Sequence, residues 1–344
     1  MKCSSLSPGQ LAGLRDGIVT VDSHTAGEFT RLVVGGLDDI PGDSMAVKRA
    51  YFQQHHDHLR LMLTREPRGC GGVAAVVTPP VHPASKFGLI YMDAKRYPFL
   101  CGHATIGAVV TLVRTGFLEV HEGETRIPVD TPSGTMETVA LVTQGKLTSV
   151  AMQMVPSFVL ETDRLLEVPG FGTLKIDLVC VGGFFAMVSS EQTGIDPVMA
   201  HRRVLTELGM KIIEAANEQV EVFHPQRPEV QTVDVVEFYA AHADDAGQGT
   251  GLVVYGEAHV DRSPCGTGTA AKLTLLHHRQ QIALHQPYVN SGPLGTAFEA
   301  RLVRRLTIGG FEAVVAQVSG MAYVTGVHTF LLDDDDPFPQ GFLL

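Results

Sequence analysis

The five-residue pattern Cys-Gly-x-x-Thr occurs twice in this chain, as Cys101-Gly102-His103-Ala104-Thr105 and as Cys265-Gly266-Thr267-Gly268-Thr269. The two cysteines lie 164 residues apart in a chain of 344, close to half its length. Each copy follows a strand-and-turn segment and leads into small and apolar residues at helical spacing. Ile106, Val109, Val110 and Val113 carry the spacing in the first copy; Ala270, Leu273 and Leu276 carry it in the second. An echo of this kind implies a duplicated half, with one cysteine at the same structural point in each.

That placement has chemical consequences. A cysteine at the start of a buried helix meets the positive end of the macrodipole and free backbone N–H groups, both of which favour thiolate over thiol. The same N–H groups can cradle a carboxylate, and Gly102 and Gly266 let a ligand approach the backbone closely. Two such helix starts facing across a cleft would put a sulfur on each face of an amino-acid Cα, the geometry that stereoinversion needs. One thiolate takes the α proton and the opposed thiol returns another, while backbone donors in a dry cavity stabilise the carbanion. His103 and Asp261 are the neighbouring polar residues able to hold the α-amine. No Gly-rich dinucleotide fingerprint follows a strand and no lysine motif for pyridoxal phosphate stands out, so cofactor-free chemistry is expected.

The rest of the chain reads as α+β. Short β-branched runs, among them 17–22, 30–35, 72–77, 87–91, 175–181, 232–239, 251–256, 312–318 and 322–328, predict strands. Helical patterns fall at 44–63, 104–115, 195–219 and 269–279. The connections are too irregular for a doubly wound sheet, so curved, partly antiparallel sheets are expected. Hydrophobic residues at 44% and charged residues at 18% allow a sizeable core. A net charge of −11 argues against nucleic-acid or anionic-membrane partners. No run approaches the roughly 18 apolar residues of a membrane span, and residues 1–17 do not read as a signal peptide; a soluble, cytoplasmic protein is expected. Five scattered cysteines with no CxxC pair suggest neither a disulfide framework nor a zinc ribbon, and no metal site is expected.

The motif residues resemble the proline racemase family, which includes 4-hydroxyproline 2-epimerases and trans-3-hydroxyproline dehydratases. The likeness runs through Asp22-Ser23-His24-Thr25-Ala26-Gly27-Glu28, Glu66-Pro67-Arg68-Gly69, Cys101 to Gly107, Asp261 to Thr269, and the ending Asp336-Pro337-Phe338 with Gly341-Phe342. The resemblance implies a diaminopimelate-epimerase-like fold: two pseudo-symmetric α/β halves with curved mixed sheets around central helices. The first half would be residues 1–165, with 325–344 returning to it, and carry Cys101. The second would be 166–324 and carry Cys265. It also implies Cys101 and Cys265 as the acid–base pair, His103 and Asp261 on the substrate nitrogen, and backbone amides of Gly102, His103, Gly266 and Thr267 on the carboxylate. A homodimer is implied by the family alone.

Departures from the family pattern bear on the substrate. Cys70-Gly71-Gly72 replaces the His and the acidic or amide residue that usually follow Arg-Gly. Ala74 aligns with an aromatic of proline racemases, and Tyr255 with a position that is Tyr in the epimerases. A smaller wall and a phenol favour 4-hydroxyproline over proline. Retention of Cys265, where dehydratase members carry Thr, favours inversion over elimination; the alternatives are a 3-hydroxyproline lyase, a non-catalytic amino-acid binder or a redox dithiol.

Plainer roles are expected elsewhere. Cys180 reads as core, Cys70 as packing and Cys3 as terminus. His24 reads as structural, and His55, His56 and His58 as solvated. Arg68 is expected in a buried ion pair with Glu66 or Glu28, Asp333 to Asp336 as a solvated turn, and Gly182-Gly183 as a strand bend that brings an aromatic towards the cleft.

Overall fold

Strand-forming residues recur along the chain. Among the described residues (17–69, 71–241, 247–333 and 335–343 of this computed structural model) they build seventeen strands. The first eight are β1 (Ile18–Thr25), β2 (Glu28–Gly35), β3 (Val73–Thr78), β4 (Phe87–Met92), β5 (Gly123–Thr131), β6 (Gly134–Thr143), β7 (Lys146–Gln153) and β8 (Ser157–Val168). The others are β9 (Gly172–Val181), β10 (Gly183–Ser189), β11 (Val233–Ala241), β12 (Gln248–Tyr255), β13 (His259–Asp261), β14 (Tyr288–Ser291), β15 (Ala297–Ile308), β16 (Phe311–Gly320) and β17 (Ala322–Phe330). The helices are α1 (Met45–Thr64), α2 (Gly102–Arg114), the single turn α3 (Ser190–Thr193), α4 (Arg202–Gln219) and α5 (Gly266–His278).

The pairings form two wraps. One series runs β17, β1, β2, β3, β4, β5, β6, β7. The other runs β16, β15, β14, β12, β11, β10, β9, β8 and closes on itself because β8 pairs back with β16. The wraps join where β7 pairs with β16. Most pairings are antiparallel; β2–β3, β4–β5, β10–β11 and β12–β14 are parallel, so the sheet is mixed. The last strand, β17, returns to pair with β1, and Phe342 bridges to Glu66.

Each wrap encloses one helix: α2 packs against β1, β2, β7 and β17, and α5 against β8, β9, β15 and β16. Enclosure explains their composition. A helix surrounded by protein is apolar or small on every side, and α5 is buried from Gly266 through His277. The outer faces are covered by amphipathic helices. Leu205, Leu208, Ile212, Ala215 and Ala216 place one stripe of α4 against Leu178, Val236 and Val254. On the other wrap, Phe52, Leu59, Met62 and Leu63 of α1 cover Val33, Ala74 and Val76. The helix expected over 195–219 starts later, as a 3₁₀ turn at Met199–His201 leading into α4, because Pro197 disfavours helix at the preceding residue. Among the described residues, no helix is long and apolar enough to cross a membrane.

Candidate active site

The two repeated motifs sit where the two enclosed helices begin, and there the helices touch. Cys101 is the N-cap of α2 and Cys265 the N-cap of α5. A Cβ on Gly102 would stand 3.0 Å from Gly266 Cα and 2.9 Å from Met152 Cε. A Cβ on Gly266 would stand 3.2 Å from Gly102 Cα and 2.8 Å from Met152 Cε. The glycines are therefore required by contact between the helix ends, a stronger constraint than the ligand approach expected from the sequence. The motif threonines anchor the same turns: Thr105 donates to Cys101 O at 2.8 Å and Thr269 to Pro264 O at 3.2 Å.

Both cysteines open onto one cavity of about 50 Å³ between the helix starts. Gly102, His103, Tyr255, Asp261, Gly266 and Thr267 line it too, so every residue singled out from sequence as catalytic or substrate-binding meets at this point. Val73, Arg96, Pro98, Leu100, Phe185, Val235 and Val253 complete the wall. A wider cavity of about 280 Å³ shares Arg96, Pro98, Leu100, Phe185, Val235 and Thr267 with it. Arg96 is fixed by Asp234 at 2.8 Å and Asp93 at 3.3 Å. No motif pointed to Arg96, because its role rests on carboxylates of two separate strands' ends. Ala74 was expected as the substituted wall residue, but Val73 faces the cavity while Ala74 packs under α1; successive strand residues point to opposite faces.

The polar groups are arranged asymmetrically about the two sulfurs. His103 Nδ1 lies 3.5 Å from Cys101 Sγ and 3.7 Å from Asp261 Oδ2. Burial alone would lower its basicity, but the Cys101 sulfur and Asp261 outweigh burial and hold the imidazole protonated well above the usual histidine range. Asp261 Oδ1 accepts from Ser263 N and Oγ at 2.8 and 2.7 Å, leaving Oδ2 towards His103. Cys265 accepts from Gly268 N at 3.3 Å and contacts Thr267 Oγ1 at 3.4 Å. Its backbone is left-handed, φ 55°, an uncommon state for a residue with a side chain. Burial, reinforced by the negative charge of Asp261, pushes the Cys265 thiol well above the ordinary cysteine range. The expectation that a helix start draws both thiols towards neutrality thus fails at Cys265, where desolvation exceeds the dipole. The Tyr255 hydroxyl is buried and, among the described residues, has no hydrogen-bond partner.

Around the site, Glu28 joins the two wraps. Fully buried on β2, it accepts from Arg262 N at 2.7 Å and Arg262 Nε at 2.9 Å and contacts His259 Nε2 at 3.0 Å. Arg68 forms its ion pair with Asp336 and also donates to Phe338 O at 3.0 Å, not with Glu66 or Glu28 as expected. Asp336 accordingly belongs to a tertiary contact and not to a free solvated turn. His24 is structural, its Nδ1 accepting from Gly27 N at 3.3 Å. Cys180 is core, its thiol pushed up to about 12 by burial. Cys3 and Cys70 lie outside the described residues. Among the described residues, no cluster of His, Cys, Asp or Glu is arranged to hold a metal.

Two helix starts, each headed by Cys-Gly, thus face one small cavity that carries a histidine and an aspartate in a largely apolar wall. The proline racemase family profile matches residues 20–343, and the chain belongs to that family, whose racemases and epimerases are isomerases. It is 38% identical over 328 residues to a proline racemase of Clostridioides difficile, covering 95% of this chain and 98% of that one. It is 39% identical over 325 residues to a 4-hydroxyproline 2-epimerase of Streptosporangium roseum, covering 94% and 97%. Among solved structures, a hydroxyproline epimerase from Agrobacterium vitis with bound trans-4-hydroxy-L-proline superposes with a TM-score of 0.90 at 30% identity, covering 96% of each chain.

Proposed function

We propose that this protein inverts Cα of a proline-type amino acid, 4-hydroxyproline in preference to proline, without a cofactor and with Cys101 and Cys265 as base and acid. The observation that carries the reading is the meeting of both motif cysteines, each capping its own helix, at one cavity with His103 and Asp261. The resting charges suit it. Cationic His103 lies 3.5 Å from the sulfur of Cys101, the proposed base, while burial holds Cys265 as the thiol. The thiolate takes the α proton: an S–H bond forms, the C–H bond breaks, and its electron pair moves towards the carboxylate. Cys265 then delivers its proton to the opposite face and becomes the thiolate. The N–H groups of Gly102, His103, Gly266 and Thr267, at helix starts where the backbone donors lack intrahelical acceptors, stabilise the charge on the carboxylate. Asp261 accepts from the ring nitrogen, with His103 beside it.

The substrate preference rests on the unpartnered Tyr255 hydroxyl, which offers a buried hydrogen bond to a ring hydroxyl. One cysteine-headed helix per wrap fits a chain of two pseudo-equivalent halves, with β8 (Ser157–Val168) on the second.

Incubation in D₂O with each proline isomer tests the reaction. Inversion should carry deuterium into Cα, and Cys101→Ser or Cys265→Ser should each lower the rate about a hundredfold or more. Full inversion by either variant, or a pyrroline carboxylate product in place of a diastereomer, would reject the two-thiol epimerase reading.

A further inference from the structure

Lys272 lies in the second turn of α5, on a helix enclosed on all sides, and its side chain is 1% exposed. Burying an ammonium is costly unless every proton finds an acceptor. Here three acceptors surround Nζ: Asn290 Oδ1 at 2.7 Å, Thr250 O at 2.9 Å and Glu237 Oε1 at 3.2 Å. Three donors meeting three acceptors is the coordination of a charged lysine. Glu237, on β11, is fully buried, and apart from that contact its carboxyl oxygens have no hydrogen-bond donor among the described residues.

Both ends of this pair lead to Cys265. Asn290 turns its other end to the cysteine loop, donating to Pro264 O and to Thr269 Oγ1, each at 2.8 Å. Pro264 and Thr269 bracket the turn in which Cys265 takes its left-handed backbone. The other Glu237 oxygen abuts Gly268: a Cβ there would stand 2.7 Å from Glu237 Oε2 and 3.2 Å from Cys265 Cβ. Gly268 is also the residue whose N–H reaches the Cys265 sulfur. One glycine thus separates a buried carboxylate from the thiol.

We propose that Glu237 and Lys272 are positioning residues for Cys265: the ammonium ties down the turn that carries the thiol, and the carboxylate supplies the negative field against which that thiol ionises. The titratable groups facing the sulfur are then Glu237 and Lys272 on this side, Asp261 with His103 behind it, and Cys101 on the same cavity. This goes beyond the proton-transfer reading but rests on it for its catalytic meaning.

The test reads the thiol directly. Iodoacetamide modification of the Cys265 peptide is followed by mass spectrometry against pH in the full chain. Glu237→Gln removes the negative charge and leaves Lys272 unbalanced, so the modification profile should move to lower pH by about one unit, as for a thiol gaining a neighbouring cation. In Glu237→Gln/Lys272→Met, with no charge left in the pair, the profile should return towards the parent. Should Glu237→Gln not fold, Glu237→Asp, which draws the carboxylate back from Gly268, should shift the profile in the same direction by less. A folded variant with an unchanged profile, or one displaced to higher pH, overturns the proposal, since a purely structural role would leave the profile in place. Failure of the chain to invert any proline would refute the function and leave this measurement standing.

Discussion

Tyr255 is the residue on which the proposed substrate preference rests. Its hydroxyl is buried, has no hydrogen-bond partner among the described residues and is kept protonated, because burial and then the charge of Glu28 raise its pKa well above the normal phenol range. A neutral donor left unsatisfied costs the empty site free energy that a ligand hydroxyl can recover, typically about 1 kcal/mol for one hydrogen bond. Tyr255→Phe should therefore lower kcat/KM for 4-hydroxyproline about fivefold to tenfold and leave proline unaffected, as measured by polarimetry with both substrates. Equal losses on both would assign the phenol to packing against His259, whose ring lies 5.0 Å away. At this scale the sequence was informative where chemistry is local. The cysteines, His103 and Asp261 stand in two short motifs, whereas Arg96 and the Glu28 cluster depend on partners that no local pattern reveals; Glu28 and Arg262 are 234 residues apart.

At the level of elements, the two cysteine-headed helices are held by backbone contact. Adding one methyl at Gly266 must move Met152 and then the Gly102 backbone. Gly266→Ala should cost about 1–3 kcal/mol in urea unfolding, the usual range for overpacking, and should depress inversion as the helix starts separate. Normal stability with normal activity would refute the contact. These helices were legible because small and apolar residues run through both in helical register. The strands between residues 123 and 168 were not. On β6 the inward positions are Met136, Thr138, Ala140 and Val142, half of them small or polar, so the alternation carries little contrast. On β15 a bulge between Leu302 and Arg304 breaks the period itself.

For the molecule as a whole, Glu28 is the clasp between wraps. Burial opposes its charge, but His259 and Arg262 overcome burial and hold its carboxyl far below the usual range. A depressed carboxylate contributes stability that is present above its unfolded value of about 4.3 and is lost as pH falls below that towards the folded value. Wild-type stability should thus decline below about pH 4. Glu28→Gln should be less stable by about 3–5 kcal/mol at neutral pH, the cost of leaving buried partners uncompensated, with a shallower acid limb in urea titrations. A parallel acid limb in the variant would place the titrating group elsewhere.

The glycine-to-glycine contact has a consequence for how specificity can change. A caliper whose jaws are main chain cannot be reset by exchanging side chains, so the spacing of the two helix starts is fixed with the fold itself. Exchange of side chains can then reshape only the rim, at positions such as Val73, Phe185 and Tyr255, and leaves the gap itself as it is.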